Sequence, residues 1–547
     1  MAKWANNLRV RCTSSQANTS ASRRVRTARH VMSSRLPIGV PHRMSRPPES
    51  PVTTTETNYA AASMTLWRGQ HAKEMEAARW APVDFVAALV VVLIGGAIRL
   101  VHVAVPAERI FDESYYAKDA CLYADIPASL CASAAEITTV HPPLGKSLLA
   151  AGIRVFGYNA LGWRFAALVA GTATIALLYL FARELLRSTI GATFAAGLLA
   201  IDPLHFVQSR VAMLDIFVPL FGLAAFYFLL LDRRRLLRTG RDARLPLVHR
   251  PWRMIAGVAA GAATASKWSG ALVVVALIGL TLAWEAAARR ADGKPRPARR
   301  ALAEEGASII VWLMLTPVIV YAFSYAGVLD GTWRAAPWSE GSWMRVFLER
   351  QIYMVNFHLG LDKMHSYQSP AWSWLLIKRP VSYYFTHAAN GDYREIAAIG
   401  NPLVWWSSLL ALLYVGVRWV RRHSLGRPEG FILAGFFVTY GPWLVLATGR
   451  SAVFLFYLLP TLPFMCLGLA YVMAELVRSI AGRAAVTLFG TACVLTFAFY
   501  YPLLAARPLP FEQWDRRIWV FDNCDEPAPK EGSDAVENQP PQGWCWI

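Results

Sequence analysis

The sequence predicts an all-α protein in which about eleven helices cross a lipid bilayer. Of its 547 residues, 55% are hydrophobic, and the mean hydropathy is +0.33, which is high for a water-soluble chain. Several apolar runs approach twenty residues, the length that a helix needs to cross about 30 Å of hydrocarbon. Backbone groups inside lipid find no outside partners, so these runs are expected to be helical. The alternating ten-residue pattern of a membrane β-barrel is not seen.

The positive charge of the chain lies between the apolar runs. The net charge is +19, and the cations cluster in residues 1–80, 232–253, 286–300 and 418–427. Cytoplasmic segments of membrane proteins are enriched in Lys and Arg. Membrane topology therefore explains the charge better than nucleic-acid binding does, and no nucleic-acid partner is expected. We predict a multi-pass plasma-membrane protein with a cytoplasmic N-terminus.

The first 63 residues are predicted to form a disordered, basic cytoplasmic tail. They are rich in Ser, Arg, Thr and Pro and contain few large apolar residues, so they cannot bury enough surface to fold alone. They lack the apolar core of a secretory signal. A weak similarity to transit peptides and a translation start at Met64 are open alternatives. Residues 64–82 are predicted to be an amphipathic segment that leads into the membrane.

The transmembrane domain is predicted to cover residues 83–505. The spans lie at about 83–105, 161–186, 190–208, 211–231, two within 253–288, 303–325, 401–417, 429–448, 452–476 and 484–504. The region 253–288 has basic segments at both ends, so we predict two short helices with residues 266–269 at the turn; a re-entrant loop is the alternative. Because the number of spans is odd, the termini lie on opposite sides. The loops 106–160 and 326–400 and the C-terminal tail 506–547 are then extracytoplasmic.

The second large loop combines aromatic and polar residues. Aromatic rings favour the headgroup zone, so we expect helices lying along the membrane surface. Sugar-binding sites also combine aromatic faces with polar groups, and a belt at the membrane interface explains the tryptophans equally well. The cation Arg450, at a later outer hairpin, is a candidate for contact with a lipid phosphate, although snorkelling to the surface is the simpler account. The candidate donor- or substrate-binding residues of the second loop are Arg350, Asn356, His358, His365, Gln368, Trp372, Lys378 and Arg379.

Two cysteine pairs fall in segments predicted to be outside the cell. Cys121 and Cys131 share the first polar loop, and Cys524 and Cys545 share the C-terminal tail. On an oxidising side of the membrane each pair can form a disulfide. Spacing alone does not distinguish disulfides from free thiols.

The first polar loop contains the acidic pair Asp112-Glu113, close to the first span. An ordinary acidic loop is the simplest interpretation. At the membrane interface, however, partial desolvation can raise the pKa of a carboxyl group and make it a better base. The pair is therefore a candidate catalytic centre.

The same loop contains His141-Pro142-Pro143-Leu144-Gly145-Lys146. The two prolines predict a rigid turn, and Lys146 is predicted to enter a helix. One interpretation is simply the start of a helix. The functional interpretation is that His141 and Lys146 bring an imidazole and a cation near the carboxylates.

Several charges lie at the ends of predicted spans. Charged residues at membrane depth are costly and usually mark a site or an ion pair. Arg164 is a candidate partner for Glu113 across the first loop. Arg210 and Asp215 are candidate substrate-binding residues, and Arg210 has a simpler possible role as the partner of Asp215 or Asp202.

Six motifs in order resemble the bacterial protein O-mannosyltransferases, over about residues 80–505. They are Phe111-Asp112-Glu113-Ser114-Tyr115-Tyr116, His141 to Lys146, Gly162-Trp163-Arg164, residues 209–215, Ser266-Lys267-Trp268-Ser269-Gly270, and the region from Gln351 to Tyr384 followed by Phe454-Leu455-Phe456-Tyr457. The resemblance implies a GT-C glycosyltransferase fold with its active site on the outer side. It implies a polyprenyl-phosphate mannose donor and Ser or Thr acceptors on secreted proteins. Asp112 matches the family's catalytic aspartate, and Glu113 and Arg164 match the acid and the arginine of its active site.

The chain departs from the family pattern in two places. Ser366 follows His365 where the family usually has proline, and residues 326–400 leave no room for the extra β-trefoil domain of eukaryotic members. No tightly bound cofactor is expected besides the lipid donor. Metal dependence is left open, because His141, His358 and His365 are possible ligands. Association with the export machinery is open as well.

The residue types predict inversion at the sugar carbon, with Asp112 as the general base opposite a leaving lipid phosphate. The closest alternative is a GT-C enzyme that acts on a lipid-linked glycan or a cell-wall polysaccharide. A lipid or sugar transporter would explain the spans, but it predicts polar residues near mid-membrane, whereas these motifs lie in loops and at span ends.

Overall fold

A computed structural model describes residues 80–131, 139–239, 249–325, 343–361, 365, 367–387, 391–422, 427–447 and 452–518. The predicted N-terminal tail, nearly all of the segment that leads into the membrane, Arg450, Cys524 and Cys545 lie outside these ranges. The helices are α1 (Pro82–Leu100), α2 (Glu113–Tyr123), α3 (Leu144–Phe156), α4 (Ala160–Leu186), α5 (Thr189–Ala200), α6 (Pro203–Gln208), α7 (Phe217–Thr239), α8 (Pro251–Ser266), α9 (Ala271–Ala291), α10 (Pro297–Ile309), α11 (Thr316–Ser324), α12 (Trp343–Leu359), α13 (Ala371–Trp374), α14 (Pro402–Arg422), α15 (Pro428–Leu446), α16 (Leu462–Leu476), α17 (Ile480–Leu504) and α18 (Phe511–Asp515).

Every predicted span has a helix at its position. Seven helical segments of the described chain are long and apolar enough to cross a membrane: α1, α4, α9 with the turn before it, α10 to α11 as one unit, α14, α15 and α17. A π-helical turn, Ile310–Leu315, joins α10 to α11. The helices α5 and α16 are apolar but shorter, and α7 and α8 occupy the other two predicted positions.

Two predicted spans differ in detail from the structure. The predicted helix 190–208 is broken into α5 and α6, because the Asp202 side chain accepts the His205 amide proton at 3.1 Å and Pro203 starts a new helix. The predicted span 211–231 begins only at Phe217, so that residues 209–216 form a non-helical segment. This segment carries part of the candidate site.

The two short helices predicted within 253–288 are confirmed as α8 and α9. They meet at a tight turn through Lys267. A Cβ atom on Gly270 would lie 2.2 Å from the backbone of Ala263, so the close approach of the two helices requires glycine there.

The second polar loop contains a β-hairpin that the sequence analysis did not predict. Strand β1 (Val381–His387) pairs antiparallel with β2 (Tyr393–Ala398), and the register shifts between Ser382 and Tyr384. Tyr383 is therefore the extra residue of a β-bulge, which locally redirects side chains. The same loop contributes α12 and α13.

The first polar loop packs as a small helical unit on the bundle. Helix α3 begins at Leu144, as predicted, and contacts both α2 and α4. The predicted disulfide between Cys121 and Cys131 is present, and a buried ion pair joins Asp119 to Lys146 at 2.8 Å. These links join the C-terminal half of α2 to α3 and to Cys131 in the same loop.

Candidate active site

The candidate site is built around Asp112, the N-cap of α2. Its predecessor Phe111 has φ +47°, a left-handed conformation that is uncommon for a bulky residue. The turn is closed by a hydrogen bond from the Glu113 amide to the Ile110 carbonyl at 2.9 Å. Residues held in such conformations cost on the order of 1–3 kcal/mol and cluster at functional sites.

Asp215 and Lys267 lie in the electrostatic surroundings of Asp112. The Lys267 ammonium donates to both Asp215 oxygens at 2.8 and 2.9 Å and lies 4.7 Å from the ring centroid of Tyr457. Asp112, Lys267 and Tyr457 are partly exposed, whereas Asp215 is buried. A ligand can therefore reach a carboxylate, an ammonium and an aromatic face in one place.

The environment shifts the pKa values of this group. The pKa of Asp112 is raised to about 6, mainly by desolvation and to a smaller extent by the charge of Asp215, while Lys267 and a hydrogen bond with the Tyr116 hydroxyl oppose the rise. Burial alone would lower the pKa of Lys267, but the nearby Asp215, Tyr457 and Asp112 outweigh it, so the pKa is raised. At neutral pH the site thus holds a carboxylate of increased basicity beside a stable ammonium.

Glu113 is fully buried and accepts hydrogen bonds from three parts of the chain. Arg164 of α4 donates to its two oxygens at 2.8 Å each, as expected from the sequence, and the Ala212 and Ile110 amides donate at 2.8 and 3.1 Å. Arg164 also donates to the carbonyls of residues 103, 106 and 108. All five guanidinium N–H groups are thereby used.

We expect Glu113→Gln to lower the thermal stability of the protein. Removing one partner of a buried ion pair typically costs about 3–5 kcal/mol, because the other charge is left uncompensated. The measurement is the unfolding midpoint of the detergent-purified protein, with Glu349→Gln as control, since Glu349 pairs with Arg345 on an exposed surface. An unchanged midpoint together with lost activity would point instead to a direct chemical role.

The predicted pairing of Arg210 with Asp215 or Asp202 is wrong. Arg210 donates to the carbonyls of residues 98, 99, 101 and 102 at the C-terminal end of α1, and stacks on Phe206 at 4.9 Å. These carbonyls have no helical partners, so the guanidinium caps the end of the span. Asp215 binds Lys267, and Asp202 accepts bonds from Trp405 and Asn401.

The three predicted histidines fall in two different places. His141 and His358 lie with ring centroids 5.5 Å apart, and His358 is 5.8 Å from the Trp268 ring. His365 packs instead against Phe454 at 5.0 Å. Within the described ranges, no three His, Cys, Asp or Glu side chains come together as a metal site.

The other predicted binding residues have varied surroundings. Lys146 is nearly fully buried against Asp119, and burial lowers its pKa. Gln368 accepts hydrogen bonds from the amides of Ala452 and His365. Arg350 and Asn356 are exposed on α12, Arg379 is half-buried, and exposed Lys378 lies 5.9 Å from the Trp372 ring.

Sequence reasoning missed four residues around Asp112 as candidates: Tyr116, Lys267, Tyr457 and Tyr383, whose ring stacks on Phe111 with centroids 4.6 Å apart. Lys267 carried a usable signal, since it is a lone cation in an apolar turn and such charges usually have a specific partner. The tyrosines carried no comparable signal, because aromatic residues are common throughout the polar loops.

An apolar groove of about 690 Å³ runs between α14 and α15. Its wall on α15 includes Phe436 and Phe437. Further along the same helix, Trp443 packs against Tyr457 with ring centroids 4.9 Å apart, and Tyr457 in turn contacts Lys267. Trp443 and Tyr457 thus connect α15, which also lines the groove, to Lys267.

The fold is that of a GT-C membrane glycosyltransferase. A structure of the Saccharomyces cerevisiae protein O-mannosyltransferase Pmt1–Pmt2 complex bound to the sugar donor matches 82% of this chain and 94% of that chain, with a TM-score of 0.66 and 15% identity. The model of the dolichyl-phosphate-mannose-protein mannosyltransferase family matches residues 158–326, and that of the C-terminal four-transmembrane region of protein O-mannosyltransferases matches residues 343–522.

The chain belongs to the protein O-mannosyltransferase family. It is 30% identical over 428 residues to a polyprenol-phosphate-mannose–protein mannosyltransferase of Mycobacterium tuberculosis, covering 70% of this chain and 80% of the relative. It is also 30% identical over 464 residues to the enzyme of that name from Mycolicibacterium smegmatis, covering 75% of this chain and 87% of the relative. The resemblance drawn from the sequence motifs is thereby confirmed.

Proposed function

We propose that the chain transfers mannose from polyprenyl-phosphate mannose to Ser or Thr hydroxyls of secreted proteins at the outer face of the plasma membrane. The names of its relatives support the donor and the kind of acceptor. The observation that carries the proposal is Asp112, a partly exposed carboxylate with a raised pKa beside the Asp215–Lys267 pair. The outward orientation rests on the distribution of basic segments.

Asp112 acts as the general base. The acceptor oxygen forms a bond to C1 of mannose while the bond from C1 to the phosphate oxygen breaks, and the hydroxyl proton passes to Asp112. A single displacement of this kind inverts the configuration at C1. The pKa of about 6 keeps Asp112 mostly ionised at neutral pH and makes it a stronger base than an exposed aspartate.

Lys267 stabilises the leaving lipid phosphate. It is the ammonium that shares the site with Asp112, and it is held by Asp215 at 2.8 Å. A preorganised charge facing the bond that breaks contributes more to the transition state than to the bound substrate. Glu113 and Arg164, whose hydrogen bonds are directed at each other and at the backbone, position the Asp112 turn.

The groove between α14 and α15 holds part of the isoprenoid tail of the donor. Its lining is almost entirely apolar, and the aromatic contacts from Trp443 to Tyr457 lead towards Lys267. The lipid then carries the phosphate at a fixed depth beside the cation, which favours the reaction through proximity.

The proposed function is tested by transfer of labelled mannose to a Thr-rich peptide. Membranes that express the chain are supplied with purified polyprenyl-phosphate mannose, and membranes without it serve as control. We expect labelled peptide only in the first sample. Label that appears in lipid-linked glycan or polysaccharide, with none in the peptide, would contradict the proposal and support the alternative acceptor class.

The activity should rise with pH through the titration of Asp112. Protonation removes the base, so kcat/KM should fall as the pH drops below about 6 and should level off above about pH 7. The measurement is the pH dependence of kcat/KM for the peptide at saturating donor. An acidic limb centred near pH 4, the usual range for an exposed aspartate, would mean that another arrangement supplies the base.

A further inference from the structure

Tyr383 contacts the strained residue that precedes the proposed base. Its ring stacks on Phe111 with centroids 4.6 Å apart and an interplanar angle of 20°. Phe111 has φ +47°, so a neighbouring contact is needed to hold it in this conformation. The stack is the most parallel ring contact that Phe111 makes in the described structure, since Phe456 and His365 meet it edge-on.

The β-bulge accounts for the direction of the Tyr383 side chain. In a regular strand, successive side chains alternate between the two faces. The register shift between Ser382 and Tyr384 leaves Tyr383 as the inserted residue, and bulges next to active sites commonly re-aim a side chain. Tyr383 is 4% exposed, so its ring is fixed by packing.

The Tyr383 hydroxyl has its own anchor. Gln208, at the end of α6, is fully buried and donates from Nε2 to the tyrosine oxygen at 2.6 Å. The ring is thus held by the strand on one side and by α6 on the other. Through its contacts with Phe111 and Gln208, Tyr383 joins three segments of the chain: the Asp112 turn, α6 and the hairpin.

We propose that Tyr383 is a positioning residue, which holds the Phe111–Asp112 turn in its reactive geometry through the ring stack. The inference rests on the proposed function, because the stack matters for catalysis only if Asp112 is the base. Displacements of about 1 Å in a reacting group can reduce rates by about 100-fold. Because the stack contacts Phe111 and is anchored by Gln208, we expect its loss to leave ground-state binding of the donor largely unchanged.

The test compares Tyr383→Leu, Tyr383→Phe and the neighbouring Tyr384→Phe in the peptide-transfer assay. We expect Tyr383→Leu to lower kcat by about 10- to 100-fold with KM for the donor within about threefold. Tyr383→Phe keeps the ring and should retain at least about a third of the rate. Tyr384→Phe, which removes a half-buried hydroxyl from the adjacent residue, should behave like the wild type.

The single variant Phe111→Leu, which removes the other ring of the stack, covers the case in which Tyr383→Leu fails to accumulate. Phe111→Leu alone should show the same loss in kcat at unchanged KM. If both single variants are stable, the kcat of the double variant should be no lower than that of the less active single variant. Both substitutions remove the same ring contact, so their effects should not add. Additive losses, a raised KM with normal kcat, or a Tyr383→Phe variant as inactive as Tyr383→Leu would each overturn the inference.

The outcomes separate this inference from the proposed function. If the wild type labels the peptide and Asp112→Asn does not, but Tyr383→Leu and Phe111→Leu match the wild type, only the role of the stack fails. If the wild type gives no labelled peptide, the proposed function itself fails.

Discussion

Asp112→Asn should abolish mannose transfer while leaving the protein folded in the membrane. Asparagine has nearly the same shape as aspartate but cannot accept the proton of the acceptor hydroxyl. General-base catalysis typically contributes about 10²- to 10⁴-fold, so we expect a loss of that size in kcat. The Asp112 side chain makes no capping hydrogen bond to α2, and the substitution removes a charge that is costly to desolvate. The stability of the folded protein should therefore not fall. The measurements are peptide labelling and the unfolding midpoint of the same preparation.

Asp125→Asn is the matched control for this experiment. Asp125 follows α2 in the same loop, and its side chain is 69% exposed, with Arg154 only 3.8 Å away. Its substitution should leave the rate within about twofold, as is usual for exposed ion pairs. Near-normal labelling by the Asp112→Asn variant would remove Asp112 as the base.

Lys267→Met should lower kcat by about 100-fold, the usual size of the effect when one charged or hydrogen-bonding stabiliser of the transition state is removed. It should also move the acidic limb of the pH profile upward. Lys267 favours the ionised form of Asp112, so its removal raises the pKa of Asp112 above about 6. The measurement is the pH dependence of kcat and kcat/KM, with the exposed Lys294→Met as control.

The variant leaves the buried Asp215 carboxylate without its cation, so instability has to be separated from lost chemistry. The double variant Asp215→Asn/Lys267→Met removes both charges and should recover stability. Replacing both members of a buried ion pair with neutral side chains of similar size costs less than removing one and leaving the other charge uncompensated. It should not recover the rate. A double variant with wild-type activity would show that Lys267 serves only to neutralise Asp215.

The sequence predicted those parts of the fold that depend on local pattern. The lengths of the apolar runs predicted the positions of the helices, and the clusters of basic residues predicted where several of them end. The paired prolines before Leu144 predicted the start of α3. The hairpin escaped prediction because its run of tyrosine and phenylalanine fits both a strand and a membrane-surface segment.

The sequence predicted those site residues that belong to short motifs of charged side chains. Asp112, Glu113 and Arg164 stand out because charges near a membrane need partners, and the pairing of Glu113 with Arg164 is confirmed. Which cation meets which acid depends on packing between distant segments, so Arg210 received the wrong expected neighbours and the pairing of Lys146 with Asp119 was not predicted. Lys267 binds a carboxylate 52 positions away, and local spacing does not encode such a contact.

The hydrogen bonds of Glu113 have a consequence for biosynthesis. The Asp112 turn is fastened by Arg164 and by the amide of Ala212, and its surroundings are completed by Lys267, Tyr383 and Tyr457. Tyr457 lies 345 positions after Asp112, so that many further residues must be synthesised after the base before all of its partners are present. A chain that ends before Tyr457 lacks part of the surroundings of Asp112, and we expect it to be inactive.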